Sequence, residues 1–448
     1  MKIAVLVGLL AFAGLAASAQ EKAEDIRPPV MNVHQQTLAN GLRVLLLEEH
    51  QVPVINFQVW YHVGSKDEQP GHTGFAHLFE HLMFKGSAHV GPSEMPGIIE
   101  AMGGSLNAYT TDDTTVFWET FPSNYLERVT WLEADRMGSL NVDDANFKSE
   151  REVVKEERRL RIDNQPYGLI REDLYAAAFQ VHPYHHTTIG SMEDLNQATV
   201  ADVRQFHDTY YKPNNATIVI VGDFQPAEAL AWAQKYFEGI PPSSGPIPRP
   251  AQPEPPQEQQ RVVNKSYSNT PLPAVVIGYR MPARYAPDSY ALDLTSNVLA
   301  GGESSRLYQS LVYKDRIAVQ AGGDGFFTED PNLFWAYAIM NEGHTPAEGE
   351  QAVVKVLEEL KAGAVDAQEL EKAKNQEIAG FVLERETDQE KGDAIGAAAV
   401  LGKDPNMVNT ELDRYRKVSA ADVQRVARQY FTKEQSTVLL ITPAPASK

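Results

Sequence analysis

Residues 74–84 set two histidines and a glutamate among apolar residues, and these three are His77, Glu80 and His81. Side chains four positions apart project from one face of a helix, so the rings of His77 and His81 would lie about one turn apart. Two imidazoles in that arrangement can bind one zinc ion, and Glu80 would stand where a carboxylate can deprotonate a water molecule beside the metal. A catalytic zinc site takes three protein ligands, so this segment is one ligand short.

A densely charged segment, residues 146–169, begins as a predicted helix that can provide the missing ligand. Glu150 and Glu157 are seven residues apart, so both fall on one helical face. One of them could be the third ligand, and the other could support that ligand or a histidine. Most charges of this helix are expected to be a solvated stripe. Spacing alone does not choose among its four glutamates, Glu150, Glu152, Glu156 and Glu157.

Strands are predicted on either side of the histidine helix. Residues 42–48 and 54–63 are rich in β-branched and aromatic residues, and we expect them to pair as neighbours in one sheet. Residues 92–102 read as a helix with Ser93 as its N-cap. Residues 107–118 alternate and are predicted to form one strand. At a sheet edge beside the metal, that strand would offer free backbone groups to an extended peptide.

The composition is that of a soluble globular protein with more than one core. A chain of 448 residues predicts at least two domains. The formal net charge of −20 argues against nucleic acid or an anionic membrane as a partner. The sequence contains no cysteine, which excludes disulfides, thiolate zinc ligands and a cysteine nucleophile.

The N-terminal residues 1–19 have the pattern of a secretory signal peptide. Lys2 provides the positive start, residues 3–15 are apolar, and small residues precede a cleavage site after Ala19. The apolar run is shorter than a membrane span, so an anchor is disfavoured. A periplasmic or secreted bacterial protein is therefore predicted.

The remaining chain divides into two halves around a proline-rich linker. Residues 240–259 carry eight prolines among Ser, Gly, Glu and Gln, which favours an extended connection between domains 20–239 and 260–448. The second half repeats the first at its C-terminal end, where residues 201–203, 210–211 and 217–218 recur at 421–423, 430–431 and 437–438. Residues 274–279 and 289–299 likewise correspond to the strand and the histidine helix of the first half. No second His-x-x-Glu-His occurs.

These motifs together resemble the inverzincins of the pitrilysin family, in the branch of the mitochondrial processing peptidases. The likeness rests on His-x-x-Glu-His, on the later Glu-Arg-x-x-Val-x-x-Glu segment, and on Gly-Gly-Ser-Leu-Asn-Ala at 103–108. The resemblance implies that His77, His81 and Glu157 bind Zn²⁺ and that Glu80 is the general base. It also implies that Glu150 lies near the metal and supports one of its ligands without binding the metal itself.

The resemblance further implies an α+β fold of two homologous halves, each a mostly antiparallel sheet packed against helices, which form a clamshell. Asn107, Ala108 and Tyr109 would begin the substrate-binding strand. In the family the second half commonly lends an arginine and a tyrosine to the substrate. The register that fits best places Val312 and Val319 at those positions, whereas a shifted register would use Arg306 and Tyr313.

The expected function is that of a zinc-dependent endopeptidase acting on short or unfolded peptides. Because Val312 and Val319 depart from the family pattern, the chain is predicted to be the catalytic subunit of a two-component protease, paired with a homologous subunit. A homodimer is the other arrangement. The alternative function is a non-catalytic scaffold subunit of the same family.

Overall fold

A computed structural model describes residues 27–250, 253–363 and 365–445. The predicted signal peptide therefore lies outside the described residues. Between α8 and β7, whose bounds follow, the described residues form no helix or strand. Among the described residues, no helix combines the length and the apolar character that a membrane span requires.

The first half consists of one sheet and the helices that cover it. Its strands are β1 (His34–Thr37), β2 (Arg43–Glu48), β3 (Val54–Tyr61), β4 (Ser105–Thr110), β5 (Thr115–Pro122) and β6 (Ala216–Gly222). Its helices are α1 (Phe75–Leu82), α2 (Glu94–Ala101), α3 (Leu126–Ser139), α4 (Asp144–Arg158), α5 (Ile170–Ala178), α6 (Met192–Gln197), α7 (Val200–Tyr210) and α8 (Pro226–Phe237).

The second half is built in the same way. Its strands are β7 (Arg261–Tyr267), β8 (Ala274–Met281), β9 (Ala318–Gly325), β10 (Asn332–Met340) and β11 (Ser436–Pro443). Its helices are α9 (Ser289–Ala300), α10 (Pro346–Ala362), α11 (Ala367–Leu383), α12 (Asp388–Val400), α13 (Glu411–Lys417) and α14 (Ala420–Tyr430).

The strand orders of the two sheets confirm the predicted duplication. The first sheet runs β1-β2-β6-β3-β5-β4 and the second runs β7-β11-β8-β10-β9. In each sheet the last strand of its half is parallel to one neighbour, and the other pairs are antiparallel. The helix before that strand begins with a capping box in both halves, formed by Thr199 and Asp202 in α7 and by Ser419 and Asp422 in α14. The predicted α+β fold is confirmed.

Two local predictions were wrong. Strands β2 and β3 do not pair, because the fully buried apolar strand β6 lies between them. Residues 107–118 form two strands rather than one, since the polar residues Thr111 to Thr114 make a turn closed by a bond from the Thr111 N–H to the Thr114 carbonyl. The hairpin places β4 at the edge of the sheet, as the peptide-binding prediction required.

The two halves exchange helices. Helix α12 of the second half packs on the first sheet, where Ile395 and Ala399 join a buried cluster with Trp60 and Val219. Helix α5 of the first half packs in turn on the second sheet, in a cluster that contains Leu174. Each sheet is thereby covered on one face by a helix of the other half, so neither half completes its core alone.

Candidate metal centre

Helix α1 and helix α4 bring three predicted ligands together. Oε2 of Glu157 lies 3.5 Å from Nε2 of His77 and 3.3 Å from Nε2 of His81. One donor atom from each of the three residues lies within 4.8 Å of the other two. The centroids of the two imidazole rings are 4.9 Å apart, and the ring planes are nearly perpendicular. Two imidazoles and one carboxylate thus converge on one point.

Zinc fits this set of donors. Tetrahedral ligand atoms at zinc's usual bond lengths to nitrogen and oxygen stand about 3.4 Å from one another. The two nitrogen–oxygen distances in the structure, 3.5 and 3.3 Å, agree with that spacing. The side chains are shielded, since His77 is 13% exposed, Glu157 16% and His81 21%.

The electrostatics of the histidines depend on their neighbours. Burial, with a contribution from His81, lowers the pKa of His77 to about 4, so this ring is neutral at physiological pH. Burial opposes protonation of His81, but its contacts with Glu150 and Glu157 outweigh burial and raise its pKa to about 9. The hydrogen bond from His81 leads the causes that lower the pKa of Glu157. A metal ion that binds at His81 would compete with a proton for the ring.

Glu150 lies on the far side of His81 from Glu157. Its Oε2 is 3.6 Å from Nδ1 of His81, the ring nitrogen that faces away from Glu157. Its other oxygen lies 2.9 Å from Nζ of Lys85. Burial favours the neutral acid, but His81 and Lys85 prevail and lower the pKa of Glu150. A carboxylate in this place orients a ligand imidazole through its second nitrogen.

Glu80 projects from the same helix toward the edge strand. Its Oε2 accepts a hydrogen bond of 2.6 Å from the hydroxyl of Thr110, the last residue of β4. Burial raises the pKa of Glu80, although the Thr110 bond and His81 oppose the shift. A carboxylate of raised pKa beside a metal site suits proton transfer near neutral pH.

The three predicted substrate-binding residues line the same cavity as the three predicted ligands. This cavity has a volume of about 670 Å³, and Asn107, Ala108 and Tyr109 lie along one wall. Its described lining residues all come from the first half, between His77 and Ile189. The Tyr109 hydroxyl contacts Asp393 of α12 at 3.3 Å, which ties β4 to the exchanged helix.

The second half places neither predicted pair at this cavity. Val312 packs against the core of the second half, and Val319 is 47% exposed on β9. Arg306 donates to both oxygens of Glu369, at 2.8 and 2.6 Å, and Tyr313 is exposed. Among the described residues, therefore, the second half lends no arginine and tyrosine to the metal cavity.

Sequence reasoning missed the residues that support the site. Lys85 had a usable signal, since it continues the four-residue spacing of His77 and His81 along the chain. Arg161, whose guanidinium lies 2.8 Å from Oε1 of Glu157, stands four residues after that predicted ligand. Thr110 had no such signal, because only the strand pairing brings it to α1.

Comparisons with known proteins match both halves of the chain to one family. Residues 43–191 match the profile described as insulinase (peptidase family M16), and residues 197–377 match the peptidase M16 inactive domain. The zinc protease PqqE of Helicobacter pylori is 33% identical over 440 residues, which cover 98% of each chain.

Solved structures share the fold. The crystal structure of a protease from Helicobacter pylori matches with a TM-score of 0.88 and 34% identity, covering 93% of this chain and 100% of that one. The periplasmic protease PqqL from Escherichia coli matches with a TM-score of 0.76 and 17% identity, covering 94% of this chain but 48% of that chain. These likenesses confirm the predicted clamshell fold. The chain belongs to the M16, or pitrilysin, family of zinc peptidases.

Proposed function

We propose that this chain is a zinc-dependent endopeptidase that hydrolyses short or unfolded peptides. The observation that carries the proposal is the convergence of His77, His81 and Glu157 on one point, with Glu80 beside them in the same cavity. His77, His81 and Glu157 would hold the metal. Zinc supplies a Lewis acid that lowers the pKa of water and polarises a peptide carbonyl.

The protein's own contribution to the reaction is proton transfer by Glu80. Its carboxylate accepts a proton from the attacking water and later delivers it to the leaving amine. Thr110 holds one carboxylate oxygen, which leaves the other free for the proton. Glu150 keeps the His81 ring oriented through its second nitrogen.

The substrate would bind by adding a strand to β4. This edge strand has β5 on one side and no strand partner on the other among the described residues. Main-chain hydrogen bonds along Asn107, Ala108 and Tyr109 would hold an extended peptide whatever its side chains. Broad sequence preference follows, and size and unfolding of the substrate would decide what is cut.

The partner would be a homologous subunit that faces the cavity. Two observations support this: the described cavity lining comes from the first half, and Arg306 is engaged with Glu369 elsewhere. The PqqL chain is about twice as long as this one, so it has room for two such units in one chain. Mixing the purified protein with a metal-free homologue should raise turnover of a fluorogenic peptide, whereas full activity as a lone homodimer would contradict a two-component enzyme.

The proposal keeps the domain limits and location expected from the sequence. The zinc-bearing domain would span residues 20–239, the linker 240–259 and the metal-free domain 260–448. Cleavage of the signal peptide near Ala19 would deliver the protein to the periplasm or the medium. Mass spectrometry of the exported protein measures that cleavage point directly.

Metal analysis tests the proposal against the scaffold alternative. Purified protein should contain one zinc per chain, lose peptidase activity with a chelator and regain it when zinc is restored. Protein that binds no zinc, with any peptide turnover unaffected by a chelator, would support a scaffold instead. The intact set of ligands favours the enzyme.

A further inference from the structure

Helix α1 carries two of the ligands but has no cap of its own. Its N-cap residue, Gly74, lies in the left-handed region at φ 91° and has no side chain to accept a bond. The first turn contains no acidic residue. The backbone N–H groups that open a helix have no partner within it, and buried ones need an acceptor.

Glu68 provides that acceptor from outside the helix. Its Oε2 accepts from the Gly74 N–H at 2.9 Å and its Oε1 accepts from the Ala76 N–H at 2.8 Å. Ala76 directly precedes the ligand His77. The Glu68 side chain is fully buried, so both bonds form away from water, where they are stronger. A carboxylate at this end also complements the helix dipole.

The position of Glu68 is itself fixed by surrounding charges. Nε2 of His186 lies 2.9 Å from Oε2 of Glu68 and 2.9 Å from the Ser65 carbonyl. Lys66, two residues earlier, lies 2.7 Å from Glu329 of the second half. Asp67 meets Arg249 of the linker at 3.1 Å. The three consecutive charged residues thus reach three different parts of the protein.

A second contact holds the same helix end relative to α4. Arg158, which follows the ligand Glu157, donates to the Gly190 carbonyl at 2.6 Å. Gly190 packs so closely on Thr73 that an added Cβ would lie 2.3 Å from the Thr73 carbonyl oxygen. The start of α1 therefore contacts Glu68 on one side and, on the other, the Gly190 loop to which Arg158 donates a hydrogen bond.

We propose that Glu68 is a positioning residue for the metal centre, which sets the start of α1 and thereby the place of His77 relative to Glu157. This inference rests on the proposed zinc function. A helix of eight residues has little stiffness of its own to hold its ligands in place. Loss of the external cap would let the first turn fray at the residue before His77.

The test measures metal affinity separately from stability. Apo-protein is titrated with Co²⁺, followed by the visible absorption bands of the bound ion, in the wild type and in Glu68→Gln, whose amide cannot accept both N–H bonds. We expect Glu68→Gln to bind Co²⁺ at least about tenfold more weakly, with an altered band shape. The kcat of zinc-loaded enzyme should fall while KM stays unchanged.

Asp366→Ala is the matched control, because it removes a carboxylate that caps α11, 2.8 Å from the Glu369 N–H and in the second half. It should lower the melting temperature and leave Co²⁺ binding unchanged. If Glu68→Gln fails to fold, the test uses His186→Gln, which removes one contact of the Glu68 carboxylate. This variant should bind Co²⁺ about threefold more weakly, because Glu68 would still cap α1 but would be held less firmly.

Wild-type Co²⁺ affinity and band shape in these variants would overturn the role of Glu68 while leaving the zinc peptidase intact. A wild-type protein that binds no Co²⁺ and cleaves no peptide would instead overturn the proposed function, and the role of Glu68 with it.

Discussion

The hydroxyl of Thr110 donates a 2.6 Å hydrogen bond to the carboxylate of Glu80. Thr110 ends the edge strand β4, and Glu80 lies on α1 between the two histidines. The contact therefore joins the strand proposed to bind the substrate to the group proposed to move the proton. A peptide that docks on β4 would meet a base already held in place.

Replacing Thr110 tests that contact. Thr110→Val keeps the shape and removes the donor, so kcat should fall about tenfold or more, since a hydrogen bond to a charged group contributes about 1.5–3 kcal/mol. KM should change little, because strand binding uses the backbone. Thr110→Ser restores the hydroxyl and should recover most of the activity. Equal losses in both variants would contradict a role for the hydroxyl.

Glu150 should matter for zinc affinity more than for the fold. In Glu150→Gln the contact with Nδ1 of His81 loses its charge, and zinc should bind about 10–100-fold more weakly in competition with a chelator. Glu152→Gln, on the same helix, is the matched control because Glu152 is exposed and pairs, among the described residues, with Arg151 and Lys155 of its own helix. Equal zinc affinity in Glu150→Gln and Glu152→Gln would contradict a supporting role for Glu150 in the metal centre.

Lys66 should stabilise the contact between the two halves through its ion pairs. Its side chain is 3% exposed, and its ammonium lies 2.9 Å from Asp113, 2.7 Å from Glu329 and 3.0 Å from Asp330. Lys66→Met leaves the buried Asp113 and the less buried Glu329 and Asp330 without their cation. The free energy of unfolding at pH 7 should therefore fall by about 3–5 kcal/mol in a urea titration. Lys235→Met removes an exposed lysine and should leave the free energy of unfolding almost unchanged.

The loss of unfolding free energy in Lys66→Met should depend on pH. Burial would raise the pKa of Glu329, but His62 and Lys66 outweigh burial and lower the pKa to about 2 from an ordinary value near 4.5. An acid with a lowered folded-state pKa stabilises the fold above its unfolded-state value, and this contribution is lost as the pH falls toward 2. The difference between wild type and Lys66→Met should therefore shrink between pH 4.5 and pH 2. A constant difference would contradict the ion pairing.

Close packing of the exchanged helix α12 can be tested at one glycine. A Cβ added at Gly396 would lie 2.1 Å from Cε2 of Trp60 on the first sheet. Gly396→Ala should therefore lower the free energy of unfolding by about 1–3 kcal/mol through overpacking. Gly380→Ala on α11 is the control, because no atom beyond the backbone of its own helix and its two chain neighbours lies within 4 Å of its added Cβ. Removing a helical glycine there should stabilise the protein by up to about 1 kcal/mol.

The sequence predicted the elements whose patterns are local. The spacing of His77 and His81 indicated one helical face, and the seven-residue interval from Glu150 to Glu157 indicated another. The repeat at 201–218 and 421–438 predicted the duplicated sheets, because each copy carries its own capping box and buried strand. Such patterns need no knowledge of distant partners.

Features that depend on long-range pairing could not be predicted in the same way. Strands β2 and β3 are neighbours in the chain, yet β6 enters between them from more than 150 residues away. Spacing alone could not choose Glu157 over its neighbours, and only the resemblance to the pitrilysin family supplied that choice. The cap at Glu68 needed a loop that folds back on α1. The exchange of α5 and α12 left no mark in either helix, since a buried face looks the same whichever sheet it covers.

The most direct measurement of the central claim is the activity of Glu80→Gln. The amide has nearly the shape of the carboxylate but cannot take up a proton, so the variant should bind one zinc per chain with wild-type affinity and lose about 10²–10⁴-fold in kcat. Peptide affinity should stay close to that of the wild type. Turnover at the wild-type rate by zinc-loaded Glu80→Gln would contradict the assignment of Glu80 as the general base.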